Sequence, residues 1–331
     1  MKALTLRKYN QPLVWNEMPI PTPRAGEIVI QVHAAGLNPL DNMIARGQFA
    51  LLFPYRLPQV MGNELAGVVT AIGTGVKKFK VGDEVFTRPD IHHLGAFATY
   101  VAVSAEDVAH KPRNLTMVEA AALPLVTLTA IQAFTEKTHV KPGMKVFIQG
   151  GAGGLGSVAI QVAKHLGATV ATTVSTHDVE IARTLGADIV VDYRTQKYED
   201  YVQNFDVVLD TLGGNETFRS MKVLKAGGTL VSVIGSPDTD FADQLGKPIV
   251  KPLMWWAGRK ERKAARQQGV TYKFLFMRAS GQQLADITPA IESGAIRPLI
   301  AQSFPAEKLA EELPQLGKKK TGPGKTVATF V

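Results

Sequence analysis

Residues 145–156, KVFIQGGAGGLG, constrain this chain more than any other segment. An apolar run suited to a buried strand passes straight into a glycine-rich turn. LGSVAIQVAKHLG (155–167) then carries helical spacing and closes on Gly167. Gly151, Gly153 and Gly156 stand in G-x-G-x-x-G register, with Ala152, Gly154 and Leu155 between them. The first glycine permits the tight turn. The second lets backbone approach a pyrophosphate, and the third lets helix pack on strand. The new helix presents unpaired N–H groups and a positive dipole end to an anion. The bare pattern also fits a turn that merely packs. A strand before it and a helix after it favour a dinucleotide cradle.

The surrounding rhythm agrees. ATVATTVS (168–175) reads as strand and DVEIARTLGA (178–187) as helix, and DIVVDY, FDVVLDTLGG and GGTLVSVIGS continue the series. Short apolar strands separated by helices imply a parallel sheet covered on both faces, a doubly wound domain. Ahead of it, EIVIQVHAAG (27–36), ELAGVVTAIGTGV (64–76), GDEVF (82–86) and GAFATYVAVS (95–104) read as strands among close Pro and Gly punctuation. MVEAAALPLVTLTAIQAFTE (117–136) reads as helix interrupted at Pro124. The last part holds a helix (282–294) and a closing strand, KTVATFV (325–331), too little for its own core. The expected class is α/β with two domains. Residues 1–117 and 275–331 form a β-rich domain, and 118–274 a dinucleotide-binding one.

Composition removes several chemistries. The 331 residues contain no Cys, which excludes disulfides, thiolate metal sites and a cysteine nucleophile. Lys+Arg 37 against Asp+Glu 29 gives a net charge of +8, which favours anionic ligands. The opening MKALTLRKYN has no secretory apolar run, and no stretch is long enough to span a membrane. A cytoplasmic protein is expected.

The second strand of the doubly wound part ends Thr173-Val174-Ser175-Thr176, without the acid that accepts a ribose 2′-hydroxyl. Ser175 and Thr176 can donate to a 2′-phosphate, and Tyr193 and Arg194 follow the third strand. The expected cofactor is therefore NADP(H).

Gly-Gly-x-Gly-x4-Gln-x2-Lys, from Gly153 to Lys164, resembles the quinone oxidoreductase/zeta-crystallin signature, with Phe147 where the signature has Leu. Gly62-Asn63-Glu64-x2-Gly67-x5-Gly73-x2-Val76 resembles the zinc alcohol dehydrogenase signature, with Asn63 in place of a histidine ligand. The chain thus resembles, over nearly its whole length, the zinc-independent quinone oxidoreductase branch of the medium-chain dehydrogenase/reductase superfamily. Its alkenal/enone reductase-like members are included. The resemblance implies a GroES-like catalytic domain beside a Rossmann domain. The positions matching the catalytic zinc ligands are Asn38, Asn63 and Leu125, a set poor in the imidazole and thiolate that zinc prefers. No metal is expected.

The resemblance implies hydride transfer from NADPH to a quinone or to the C=C bond of an α,β-unsaturated carbonyl, and a homodimer. VTYKFLFM (270–277) is a plausible edge for pairing two copies. The resemblance places Asn38 and Pro39 beside the nicotinamide, Thr129 at its ribose, and Lys325 at a cofactor-contacting position. Thr211 and Gly213 end the fourth strand, and Val233, Ile234 and Gly235 end the fifth, at the edge where cofactors lie. Asp41 is a candidate acid or, preferably, a support for neighbours. Where enoyl-thioester reductases carry a tyrosine donor this chain has Phe49. Tyr55 is the nearest alternative hydroxyl, with a packing role as the competing reading, and water suffices to protonate an enolate.

Residues 251–266 hold six Lys or Arg against one Glu, beside Trp255 and Trp256. A solvated helix with a tryptophan lid, a surface for anions, and a substrate mouth are the three readings. Nucleic acid is not an expected partner, since no RNA-binding motif accompanies the patch. Two other functions compete with the reductase. One is a dinucleotide-binding interaction protein with little catalysis, binding RNA or another anion as some zeta-crystallin relatives do. The other is an alcohol dehydrogenase-like enzyme.

Overall fold

The computed structural model describes residues 1–318 and 322–330; Val331, the last residue of the expected closing strand, lies outside them. The chain divides into two compact units, Met1–Leu128 with Arg278–Val331, and Thr129–Met277.

The first unit is built around Glu27–Gly36. This strand pairs antiparallel with Leu65–Ile72, Tyr100–Ser104 and Lys325–Thr329. Residues Ile28, Val29, Ile30 and Val32 are all buried, because partners approach from several sides rather than one. Outward from it, Glu84–Thr87 and Val108–His110 extend one edge, and Ile300–Pro305 extends the other. The C-terminal strand enters with Val327 opposite Gly36, so the last part of the chain completes the first unit's sheet. A small sheet of Val14–Glu17, Lys2–Leu6 and Gln59–Val60 lies alongside. This is the GroES-like architecture.

The second unit holds six parallel strands. Across the sheet they run Ile189–Asp192, Thr169–Val174, Lys145–Ile148, Phe205–Asp210, Leu224–Ser232, Thr271–Phe274. Numbered along the chain this order is 3-2-1-4-5-6, the doubly wound arrangement of a Rossmann domain, whose strand order reverses beside the first strand. Thr271–Phe274 is the outer strand, as an edge reading of 270–277 requires.

The division falls later than 117/118 and 274/275. Met117–Ala121 packs on Glu27–Gly36 and Leu65–Ile72, and the Leu125 N–H donates to Glu64 Oε2 at 2.8 Å. Both ties hold the chain to the first unit up to Leu128. At the other end, Leu275 N–H donates to Ser232 O at 2.9 Å and keeps the segment on the second sheet. The long helix expected over 117–136 is three pieces: Met117–Ala121, Pro124–Ile131 and a π-helical Gln132–Lys137. Proline cannot donate to the preceding turn, so the break falls where Pro124 stands.

Candidate functional site

In the second unit the glycine loop lies between the strand Lys145–Ile148 and the helix Gly154–His165. Gly153 is the N-cap of the helix Gly154–His165. Gly151 N–H donates to Thr173 O at 3.0 Å, and Gly150 N–H to Thr173 Oγ1 at 3.2 Å, which ties the turn to the second strand. A Cβ on Gly156 would stand 2.2 Å from Gly150 O, and one on Gly151 would stand 2.2 Å from Thr172 Oγ1. The turn therefore closes only with glycine at both. Ala152 is buried, whereas Gly153 is exposed and Gly154 and Leu155 are half-buried at the mouth.

The neighbouring strand ends are braced from within. Asp210, fully buried, accepts from Leu212 N–H, from Gly213 N–H at 2.9 Å and from Thr217 Oγ1 at 2.6 Å. Thr211 Oγ1 donates to Gln149 O at 3.0 Å. Ser232 Oγ accepts from Ile234 N–H and from Gly235 N–H at 2.8 Å, bending the chain just after Val233. Thr129 is buried at the unit's start.

At the end of the second strand, Ser175 donates to the Asp178 carboxylate and Thr176 Oγ1 to Asp192 Oδ2 at 2.7 Å. Both hydroxyls are thus held by acids that sequence reasoning did not connect with them. The signal lay in parallel register, since Val174 stands opposite Asp192. The Asp192 carboxyl is held below the usual range by the Thr176 hydroxyl and the Arg194 N–H. Tyr193 N–H donates to Val174 O at 3.1 Å, so Tyr193 and Arg194, both exposed, stand at the strand end expected for them.

In the first unit, side chains far apart in sequence meet in one buried cluster. Pro39–Ala45 is a short helix with Asn38 at its N-cap, and Asp41 Oδ2 accepts from Asn38 N–H at 2.8 Å. The Asn38 amide donates to Glu64 Oε1 at 2.8 Å and accepts from Lys325 Nζ at 2.6 Å. Lys325 Nζ also reaches Leu37 O at 3.0 Å and Glu64 Oε1 at 2.5 Å. Asn63 Nδ2 donates to Asp41 Oδ1 at 2.6 Å, and Asn63 Oδ1 is buried without a partner. A Cβ at Gly36 would lie 2.5 Å from Glu64 Oε1, so a glycine there admits the carboxylate.

Glu64 and Arg88 were missed from sequence. Glu64 stands inside the Gly-Asn-Glu motif, which was its signal. Arg88 follows the strand Glu84–Thr87 and reads as a surface cation. It is instead buried, with Nε and Nη1 unpartnered, and its guanidinium is pushed below its ordinary range by burial. Tyr55 donates to Ile91 O at 3.0 Å, and burial drives its hydroxyl above the usual phenol range.

Burial pushes the Asp41 carboxyl up to about 7, against the lowering effect of Asn63, Asn38 and Lys325. The folded protein then holds a proton that the unfolded chain releases near the ordinary 3.8. Stability from this group is complete below that value and lost as pH rises through about 7. Urea unfolding between about pH 4 and 8 should show this decline. Asp41→Asn should flatten it, and parallel profiles for the two proteins would argue against a protonated Asp41.

A GroES-like unit joined in one chain to a Rossmann unit with a glycine-rich strand–turn–helix defines a class of oxidoreductases. Residues 24–113 match the alcohol dehydrogenase GroES-like domain, and residues 185–327 match the zinc-binding dehydrogenase family. The chain is 34% identical over 328 residues to the Homo sapiens "NAD(P)H oxidoreductase RTN4IP1, mitochondrial", covering 92% of this chain and 82% of that protein. It is 33% identical over 302 residues to the Arabidopsis thaliana "NADPH-dependent alkenal/one oxidoreductase, chloroplastic", covering 88% and 69%. The solved quinone oxidoreductase of Coxiella burnetii superposes with TM-score 0.84 at 28% identity, covering 100% of this chain and 99% of that one. The chain belongs to the quinone oxidoreductase branch of the medium-chain dehydrogenase/reductase superfamily and is an oxidoreductase. Among the described residues, no helix is long and apolar enough to cross a membrane.

Proposed function

We propose that this protein is an NADPH-dependent reductase of quinones or α,β-unsaturated carbonyls that works without zinc. The observation that carries the reading is the bonding at the family's metal positions. Asn38 gives its amide to Glu64 and accepts from an ammonium, Asn63 donates to Asp41, and Leu125 offers only an alkyl side chain. A lysine ammonium hydrogen-bonded within this set repels a divalent cation, and neutral amides replace the imidazole and thiolate that zinc prefers. The donor set does not fit zinc.

The glycine cradle does fit a dinucleotide. Gly151, Ala152, Gly153, Gly154, Leu155 and Gly156 would receive the pyrophosphate, and Tyr193 with Arg194 supports a 2′-phosphate. The hydroxyls of Ser175 and Thr176 would have to turn from Asp178 and Asp192 to join them. A bound dihydronicotinamide supplies a hydride to an electron-poor carbon of the acceptor. The chain's part is to orient and to exclude water. Asn38, held on both faces of its amide, fixes the loop into Pro39–Ala45. Asp41 holds Asn63 through its amide. Solvent supplies the proton that the reduced acceptor takes up. Two copies would pair along Thr271–Phe274.

The decisive assay is steady-state NADPH oxidation by chelator-treated protein, with hexenal and phenanthrenequinone as parallel acceptors and NADH as the control. Turnover of at least one acceptor, with NADPH preferred about tenfold or more, is the expected result. NADPH binding without turnover of either would favour the interaction-protein reading. Turnover that requires added zinc would favour an alcohol dehydrogenase.

A further inference from the structure

Residues 247–267 lie within the connection between the fifth and sixth strands of the second unit. They form a 3-10 turn, Pro248–Val250, that runs directly into the helix Lys251–Ala257 and is followed by Arg259–Gln267. Met254, Gly258 and Ala265 are buried and seat the pair. Four large apolar side chains face water instead: Ile249 is 88% exposed, Leu253 61%, Trp255 56% and Trp256 59%. Positions 249, 253 and 256 share one face of a continuous helical path. Single exposed apolar residues are ordinary, but four within eight positions make a patch that asks for a partner.

The same segment carries Lys251, Arg259, Lys260, Arg262, Lys263 and Arg266, of which Arg259, Lys260, Lys263 and Arg266 are exposed. Lys251 is paired with Asp243 at 2.7 Å. The Arg259 guanidinium lies 3.9 Å from the Trp256 ring centroid, and that of Arg262 lies 5.1 Å from Trp255. Two of the six cations, Arg259 and Arg262, are therefore stacked on the exposed rings. Glu261, the one acidic residue within 247–267, accepts from Ser236 Oγ at 2.8 Å.

We propose that this helix pair docks the protein on an anionic phospholipid surface. The apolar side chains enter the boundary between headgroups and acyl chains, and the exposed cations Arg259, Lys260, Lys263 and Arg266 meet the lipid phosphates. Tryptophan suits that boundary because its ring is apolar and its N–H polar. A basic face beside exposed apolar side chains is the composition of an interfacial helix. A nucleic acid would satisfy the cations and could stack on the rings. It would offer nothing to Ile249 and Leu253, the two aliphatic members, whereas hydrocarbon rewards all four. The surface is independent of the reaction proposed above.

The test is sedimentation of the full chain with phosphatidylcholine vesicles, and with vesicles in which about one third of the lipid is phosphatidylglycerol. Binding to the anionic vesicles alone is expected, with a blue shift of tryptophan emission and loss at high salt. The K260E/K263E variant should lower the vesicle partition coefficient by at least about 30-fold. W255S/W256S should weaken binding and remove most of the emission shift. These side chains are exposed, so both variants should keep the parent's circular dichroism and NADPH affinity. No binding to anionic vesicles, or binding that charge reversal leaves unchanged, would overturn the proposal. Capture of a single-stranded RNA oligonucleotide without vesicle binding would overturn it in favour of nucleic acid.

Discussion

Gly153→Val should raise the dissociation constant for NADPH by on the order of 100-fold, about 2.7 kcal/mol, in a protein that remains folded. Gly153 has φ −75° and ψ 171°, extended backbone that a branched residue adopts readily. A Cβ there would find Gly150 O at 3.3 Å, a contact that a small shift relieves. Gly151 and Gly156 differ, since a Cβ at either would fall 2.2 Å from an atom of the loop's own packing. Changing those two would break the turn and confound binding with folding. Gly153 alone is both exposed and conformationally permissive, so a valine acts on whatever approaches the helix N-terminus. Calorimetric titration with NADPH, beside the thermal midpoint of each protein, separates the two effects. Unchanged affinity would remove the loop from the cofactor site. A collapsed midpoint would mean that position 153, like 151 and 156, is needed as glycine for the turn itself.

What the sequence made legible was what short-range physics controls. Strand, glycine turn and helix around Gly153 are set by periodicity and by the need for missing side chains, and both can be read along the chain. That the sheet is parallel and doubly wound follows from the βα alternation together with the handedness of crossovers. Apart from local pairs such as Ser175 and Asp178, three residues apart, the partners of individual polar groups were not legible, because they come from distant segments. Glu64 and Lys325 meet across 261 positions, and Thr176 finds Asp192 only through parallel register. Arg88 was hidden for another reason. A guanidinium after a strand is normally solvated, and nothing local says that this one is buried. The division near Leu128 was also a tertiary matter. Met117–Ala121 looks like the opening of the helical half, yet its apolar face is used by strands of the first unit.

The same distinction decides what Lys325 does. The resemblance implies a cofactor contact, but all three ammonium protons already have acceptors: Leu37 O, Asn38 Oδ1 and Glu64 Oε1. Lys325 is 5% exposed and Glu64 is fully buried, so neither charge is relieved by water. Breaking such a pair from one side strands the other charge, at a cost of about 3–5 kcal/mol. Lys325→Met should therefore lower the unfolding free energy by that amount in urea, about what a marginal domain can lose and stay folded. K325M/E64Q removes both charges. The Asn38 amide, released from the ammonium, can turn its oxygen toward the new amide, and Leu125 N–H keeps an acceptor. Recovery of at least half the lost stability is expected in the double variant, although Lys325→Met and E64Q each destabilise alone. Stability unchanged to within about 1 kcal/mol, with NADPH affinity sharply reduced, would instead assign the ammonium to the cofactor. The clamp between the C-terminal strand and the Asn38 loop would then be incidental to folding.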